Sequence, residues 1–231
     1  MNRPYIICHM VTSIDGKVTG EFLNDKASIK TIEKYYEINR NYKADGFACG
    51  RETMEGSFTN YHKVDISMFK EDVEYTDFIA KNDFKYYAVS FDRFGKVGWV
   101  SDHIFDEDEG YNNAHIIEVL TTKTPKKYLS YLKSINVSYI FASSINEAMI
   151  KLKNYFNINL LLLEGGSIIN QAFLDEGLVD ELSLLVAPLV ASSDDKQLFY
   201  KSDKTHFELK DCRLYDGVLH LLYKKGEEKW E

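Results

Sequence analysis

Apolar residues along this chain follow two rhythms: short unbroken runs, and stretches in which they recur at every third or fourth position. Unbroken runs suit strands buried on both faces, and the three-to-four spacing suits helices with one inward face. The first rhythm predicts strands at 5–11, 46–49, 86–90, 115–120, 137–141 and 159–163. The second predicts helices over 28–42, 126–133, 145–156 and 168–174, with Ser28 capping the first and Pro125 opening the second. Ile29, Ile32, Tyr36 and Ile38 should face inward on the first helix, and Ala148, Leu152 and Tyr155 on the third. Residues 181–186 read as a strand stopped by Pro188. Two further strands, 207–215 and 218–223, flank Asp216-Gly217, a dipeptide that accepts the positive φ of a tight hairpin turn. Residues 54–83 have no firm period and are expected to be loops with short helices.

Strands alternating with helices, closed by a hairpin, predict an α/β fold. Its mixed, mainly parallel central sheet carries helices on its faces and ends in a C-terminal antiparallel hairpin. With no low-complexity linker or internal repeat, residues 1–231 are read as a single domain.

Composition narrows the partners. A net charge of -8 argues against nucleic acid, whose phosphates need concentrated Lys and Arg. Cys8, Cys49 and Cys212 are widely spaced and form no Cys-x-x-Cys pair, which fits a reducing compartment and offers no metal signature. No apolar run reaches membrane-spanning length and no signal-peptide core is visible, so the chain is expected to be cytoplasmic and to use no membrane. His206-Phe207-Glu208 superficially matches a zinc deaminase motif, yet the Pro-Cys-x-x-Cys partner is missing.

Candidate chemistry sits where strands end. The leucine run stops at Glu164-Gly165-Gly166-Ser167 and gives way to a helix. Paired glycines admit a close backbone approach, and the amides and dipole of a helix start favour a phosphate or diphosphate. Such a turn also uses glycine for its own geometry. A second turn, Gly50-Arg51-Glu52-Thr53, adds a guanidinium fork and a hydroxyl, so the two together suggest a dinucleotide, with Arg51 favouring NADP; alone, Arg51 is equally a solvated surface cation. A third, Ser13-Ile14-Asp15-Gly16-Lys17, offers a donor, a carboxylate and a cation, though by itself it reads as a turn. His9 is either a proton donor that titrates near neutrality or a hydrogen-bonded core residue. Glu164 is either a substrate partner or a strand-end acceptor of turn amides.

Together these motifs resemble a reductase family with the dihydrofolate reductase fold. It comprises the carboxy-terminal domain of bifunctional riboflavin-biosynthesis deaminase-reductases and its stand-alone relatives. The family's serine-x-aspartate-glycine-lysine turn stands as Ser13 to Lys17, and its alanine-aspartate strand with glycine-x-x-threonine as Ala44-Asp45 and Gly50 to Thr53. A strand ending near an aspartate stands as Ser90-Phe91-Asp92. The glutamate-glycine-glycine turn is Glu164 to Gly166, followed by Leu178-Val179-Asp180-Glu181-Leu182 and Ala187-Pro188.

The resemblance implies a three-layer αβα, dihydrofolate reductase-like domain without a fused deaminase, acting as an NADPH-dependent oxidoreductase and forming a homodimer. Gly50, Arg51 and Thr53 would hold one side of the cofactor, Ser90 would lie near its adenosine phosphate end, and Gly165, Gly166 and Ser167 would carry the diphosphate. Ser13, Asp15 and Lys17 would face a small heterocyclic substrate, with Asp15, Glu164 and His9 as candidates for the proton chemistry. That substrate is a 5-amino-6-ribosylaminopyrimidine 5'-phosphate in the family's pathway. Two departures bear on it: His9 stands where riboflavin-pathway members often carry lysine, and Glu55 to Tyr61 lacks their aspartate-x-proline-x-leucine segment and following arginine. A dihydrofolate reductase-like enzyme on another substrate is one alternative, although the tryptophan and proline-rich loop of true folate enzymes is missing between 20 and 34. A nucleotide-binding module without chemistry is the other.

Overall fold

The computed structural model describes residues 2–81, 83–201 and 204–226. The elements run β1 (Tyr5–Thr12), α1 (Ile29–Tyr42), β2 (Gly46–Gly50), α2 (Arg51–Phe58), β3 (Tyr87–Phe91), β4 (His115–Leu120), α3 (Lys126–Ser134) and β5 (Ser138–Phe141). They continue with α4 (Ile145–Phe156), β6 (Leu160–Leu163), α5 (Ser167–Asp175), β7 (Glu181–Val186), β8 (Phe207–Tyr215) and β9 (Val218–Lys225). This is the expected α/β architecture of mostly parallel strands with an antiparallel C-terminal hairpin. The chain divides into two units, Met1–Pro4 with Ala44–Leu161, and Tyr5–Lys43 with Leu162–Glu231.

In the first unit β2, β3, β4 and β5 lie parallel in the order β5-β4-β3-β2. Their residues are apolar on both faces, so Phe47, Ala88, Val89, Ile116 and Ile117 are all buried. Helix α3 sends Leu129 and Leu132 inward, and α4 sends Ala148, Met149 and Leu152. The start of α4 is held by Ser144, whose hydroxyl accepts the Glu147 amide at 3.1 Å, and its end turns through Asn157 in the left-handed region. Tyr155, expected on the inward face, is half-exposed, because Met149 and Phe156 fill that side of the helix. Beyond α2, the stretch expected to be loops with short helices is loop; it is tied to β5 by a bridge between Phe78 and Tyr139, by the Phe141 amide donating to Asp77 at 2.8 Å and by the Ala80 amide donating to the Ser138 hydroxyl at 3.1 Å.

In the second unit β1 runs parallel to β7, which pairs antiparallel with β9, and β9 with β8. Helix α1 covers one face of this sheet, where Val11, Leu185 and Val218 pack with Ile38, Ile32 and Tyr35. Ile29 does not join them: it is the first helical residue and is exposed. Ser28 occupies the cap position, but its hydroxyl donates to the Phe22 carbonyl at 2.6 Å instead of accepting a helix amide. On the opposite face the register brings Leu184, Leu221, Leu219 and Leu214 side by side, with Tyr223 opposite Leu209. Leu209 and Leu214 are 57% and 74% exposed there.

Candidate functional site

The Glu164-Gly165-Gly166 turn lies wholly in the second unit, at the end of a buried strand. Gly165 has φ +92, and a Cβ built on it would stand 3.1 Å from the Met10 methyl on β1. A side chain there is strained by the backbone conformation and would crowd the end of the Met10 side chain. The Gly165-Gly166 peptide is cis. Gly166 is the N-cap of α5 and supplies no side-chain cap, so the first amides of the helix keep their capacity for an anion. The Ser167 hydroxyl is buried and donates to the Gln197 carbonyl. Glu164 is 9% exposed and accepts a 2.5 Å hydrogen bond from Asn39 Nδ2 on α1, itself buried. Burial first, and the Glu164 charge second, push the nearby Cys8 thiol far up, so it stays protonated.

In the first unit, Gly50 caps α2 in an ordinary extended conformation, again without a side-chain cap. Thr53 is partly buried in the first turn of α2. Arg51 is committed: its guanidinium binds the buried carboxylate of Glu55 and lies 3.7 Å from Glu52. Lys63 takes the other oxygen of Glu55. Ser90, opposite Cys49 of β2, does not reach a strand-end ligand site. It is fully buried against Glu118, its register partner on β4, and neither Ser90 Oγ nor Glu118 Oε2 has a hydrogen-bond partner among the described residues. Burial, then the charge of Asp92, pushes the Glu118 carboxyl well up, and the Trp99 indole donates to it.

The Ser13–Lys17 turn is brought together with residues 189–198. The Ser13 hydroxyl donates to Asp15 at 2.7 Å, and the Ala191 amide donates to the same carboxylate oxygen at 3.0 Å. These two bonds hold the exposed Asp15 carboxyl below the usual carboxylate range, so it is an ionised acceptor and not a proton donor near neutrality. Lys17 donates to the carbonyls of Ser193 and Asp195 at 3.2 and 2.8 Å. Beside this turn lies an open depression of about 500 Å³ whose lining includes Glu21, Asp25 and Asp195 together with Phe22 and Leu189.

His9 is a core residue, not a pocket acid. It is fully buried, its ring stacks on Tyr35 at 4.3 Å, Nδ1 lies 2.9 Å from Ser183 Oγ and Nε2 lies 3.2 Å from the Tyr35 carbonyl. Burial lowers its pKa to about 3, which leaves it neutral. Strand alternation explains the placement: Cys8 and Met10 lie toward Glu164 and Gly165, so His9 between them faces α1.

Each unit holds one helix start without a side-chain cap directly after a strand, and each by itself is a donor set that fits a nucleotide phosphate. The RibD C-terminal domain family matches residues 4–221. The chain belongs to that family. A pyrimidine reductase-like protein from Corynebacterium diphtheriae shares the fold with a TM-score of 0.69 and 18% identity, over 98% of this chain and 94% of that one. RibD from Acinetobacter baumannii gives 0.68 and 18% over 98% of this chain, which spans 59% of that RibD. The riboflavin biosynthesis reductase Rib7 from Saccharomyces cerevisiae gives 0.61 and 16%, over 98% and 91%. A comparison with curated proteins finds no match.

Two buried polar residues escaped the sequence reading. Asn39 carries no local signal, since its partner Glu164 is 125 positions away. Glu118 sits inside an apolar run and reads as a strand residue until its burial is seen.

Proposed function

We propose that this RibD C-terminal domain protein is an NADPH-dependent reductase of a small heterocycle, of the ribosylaminopyrimidine phosphate class used in riboflavin biosynthesis. The observation that carries the reading is the Glu164-Gly165-Gly166 turn, where an uncapped helix start and a glycine at positive φ meet a carboxylate held by Asn39. The amides at the start of α5 would hold the diphosphate. NADPH, when bound, supplies the hydride, and the protein supplies alignment and proton handling. Glu164 is placed for proton handling, because Asn39 holds one carboxylate oxygen beside the glycine turn. Ser13, Asp15 and Lys17 shape the neighbouring loop through bonds among themselves and to residues 191–195, which leaves Glu164 as the proton-handling residue of the three sequence candidates.

Calorimetric titration with NADPH tests the reading. The wild-type chain should bind, and Gly165→Ala should bind about tenfold or more weakly, because an L-residue at positive φ displaces the turn. Failure of the wild type to bind NADPH overturns the assignment. Oxidation of NADPH with candidate aminopyrimidines then identifies the substrate.

The homodimer belongs to the same proposal, with a second copy of this chain on the apolar face of β7, β9 and β8. Leucines that lie side by side on one sheet face, partly exposed at Leu184, Leu219 and Leu221 and exposed at Leu209 and Leu214, suit an interface, and a self-complementary patch suits two-fold pairing. Leu214→Glu, at a 74% exposed position, should leave the fold intact and convert a sedimenting dimer to a 26.7 kDa monomer. A wild type that sediments as a monomer at micromolar concentration removes the dimer from the proposal.

A further inference from the structure

Ser167 and Asn170, at the start of α5, both spend a side-chain donor on a segment 30 and 28 positions further along the chain. The Ser167 hydroxyl donates to the Gln197 carbonyl, and Asn170 Nδ2 donates to the Leu198 carbonyl at 3.2 Å. Both side chains are buried, and Asn170 Oδ1 has no partner among the described residues, so the bond to Leu198 is what orients that amide. The same short segment is also bonded to the 13–20 loop. The Val18 amide donates to the Lys196 carbonyl at 2.8 Å, the Leu198 amide to the Gly16 carbonyl at 3.1 Å and the Lys196 amide to Thr19 Oγ1 at 2.8 Å, while Lys17 and Gln197 form an antiparallel bridge. Gly20, at φ +112, leaves room for the Asp195 carboxylate, with which any Cβ there would collide.

Residues 196–198 thus form a bonded link between the helix start assigned to the diphosphate and the turn that holds Ser13, Asp15 and Lys17, all within the second unit. Most of the segment that carries the link is exposed, residues 192–194, 196 and 197 included. A segment that buries little apolar surface opens locally at low cost. Each opening breaks the bonds to Ser167 and Asn170 and leaves the first turn of α5 free to fray, since Gly166 supplies no side-chain cap. An anion on the amides of that turn needs them converged. It therefore binds the closed arrangement more tightly than the open one, and it suppresses the opening of whatever is bonded to the helix start.

We infer that Ser167 and Asn170 are positioning residues that transmit occupancy of the α5 start, through residues 196–198, to the 13–17 turn, so that bound cofactor sets this turn in place before the heterocycle arrives. The inference rests on the NADPH reading above and adds a coupling to it. Hydrogen–deuterium exchange of the full chain, with and without NADPH, tests it without turnover. In the wild type NADPH should slow exchange about tenfold or more at 165–170, and by a similar factor at 13–20 and 191–198. Ser167→Ala removes the hydroxyl and keeps the backbone amide at the helix start. In Ser167→Ala, and more fully in Ser167→Ala/Asn170→Ala, the slowing should persist at 165–170 and fall to within about twofold at the other two segments. Ser167→Thr, which restores a hydroxyl, should recover it. The single substitution removes one bond at a helix end and keeps the test open where the double variant does not fold. Slowing at 13–20 that is undiminished in Ser167→Ala and the double variant overturns the inference, because direct contact with the cofactor then accounts for it. A wild type slowed at 165–170 alone overturns it too, and in both cases the NADPH reading stands. A wild type with no slowing anywhere overturns both.

Discussion

Between pH 6.5 and pH 4.5 the protein is expected to lose stability by about 1.4 kcal/mol per pH unit for each buried histidine that stays neutral. His9 is the main source, with a folded-state pKa of about 3 against 6.5 for the free side chain. The sign follows from proton counting: below 6.5 the unfolded chain takes up a proton that the native state refuses. Stability present at neutral pH is therefore lost as pH falls, and the loss continues toward pH 3. The hydrogen-bond chain explains the refusal. With His9 Nε2 donating to the Tyr35 carbonyl, Nδ1 must accept from Ser183, whose oxygen in turn accepts from His220 Nε2 at 2.8 Å. Protonating His9 reverses the chain and requires His220 to carry its hydrogen on Nδ1, an atom with no partner among the described residues. The groups around this chain are Tyr35 and Tyr42 on α1, Ser183 on β7, His220 on β9, and Asp211 and Arg213 on β8. His115 in the first unit, lowered to about 4 chiefly by burial, adds to the same trend. The depressed carboxylates Asp15 and Asp211 act only below their ordinary value of 3.8, whereas the raised Glu118 carboxyl takes its proton first in the native state and offsets part of the histidine loss in the upper window. Urea midpoints measured from pH 7 to pH 5 should fall for the wild type. His9→Gln, less stable at pH 7, should show a slope shallower by about one proton, and an unchanged slope would place the effect elsewhere.

Glu164→Gln is expected to lower kcat by about a hundredfold, in line with removal of a positioned proton-handling group, while NADPH affinity stays within about threefold. The substitution is close to isosteric and keeps an oxygen for the Asn39 amide, so the buried bond at the strand end survives. What disappears is the charge and the exchangeable proton. Steady-state rates with an aminopyrimidine substrate, alongside calorimetric NADPH binding, separate the outcomes. An unaltered kcat would reduce Glu164 to a residue that closes the turn. Asn39→Leu leaves the carboxylate without its fixed donor. It should shift the acid limb of the kcat profile, a change that altered packing alone does not produce.

The elements were legible because their signals are local. Strand runs such as Tyr86–Ser90 and Leu160–Leu163, the helix 145–156 and the Asp216-Gly217 hairpin depend on periodicity and turn chemistry within a few residues, and they stand within one or two positions of expectation. The glycine turn after β6 was legible for the same reason. Side-chain roles were less so. Ser90 and His9 sit in strands where either face is apolar, and which face meets solvent depends on the helix laid over it. Arg51 looked available because Glu55, its partner one helical turn on, gives no sign in sequence of being buried.

By itself the sequence determined the order of strands and helices, the two phosphate-competent turns and the family to which the chain belongs, since each is written in contiguous residues. Tertiary structure alone decided which polar groups are spent inside the protein and which remain for a ligand. Asn39 on Glu164, Glu55 on Arg51 and the His9–Ser183–His220 chain show side chains whose partners become fixed only on folding. Burial and hydrogen bonding set both the charge state and the availability of a side chain, and neither is encoded in its neighbours along the chain.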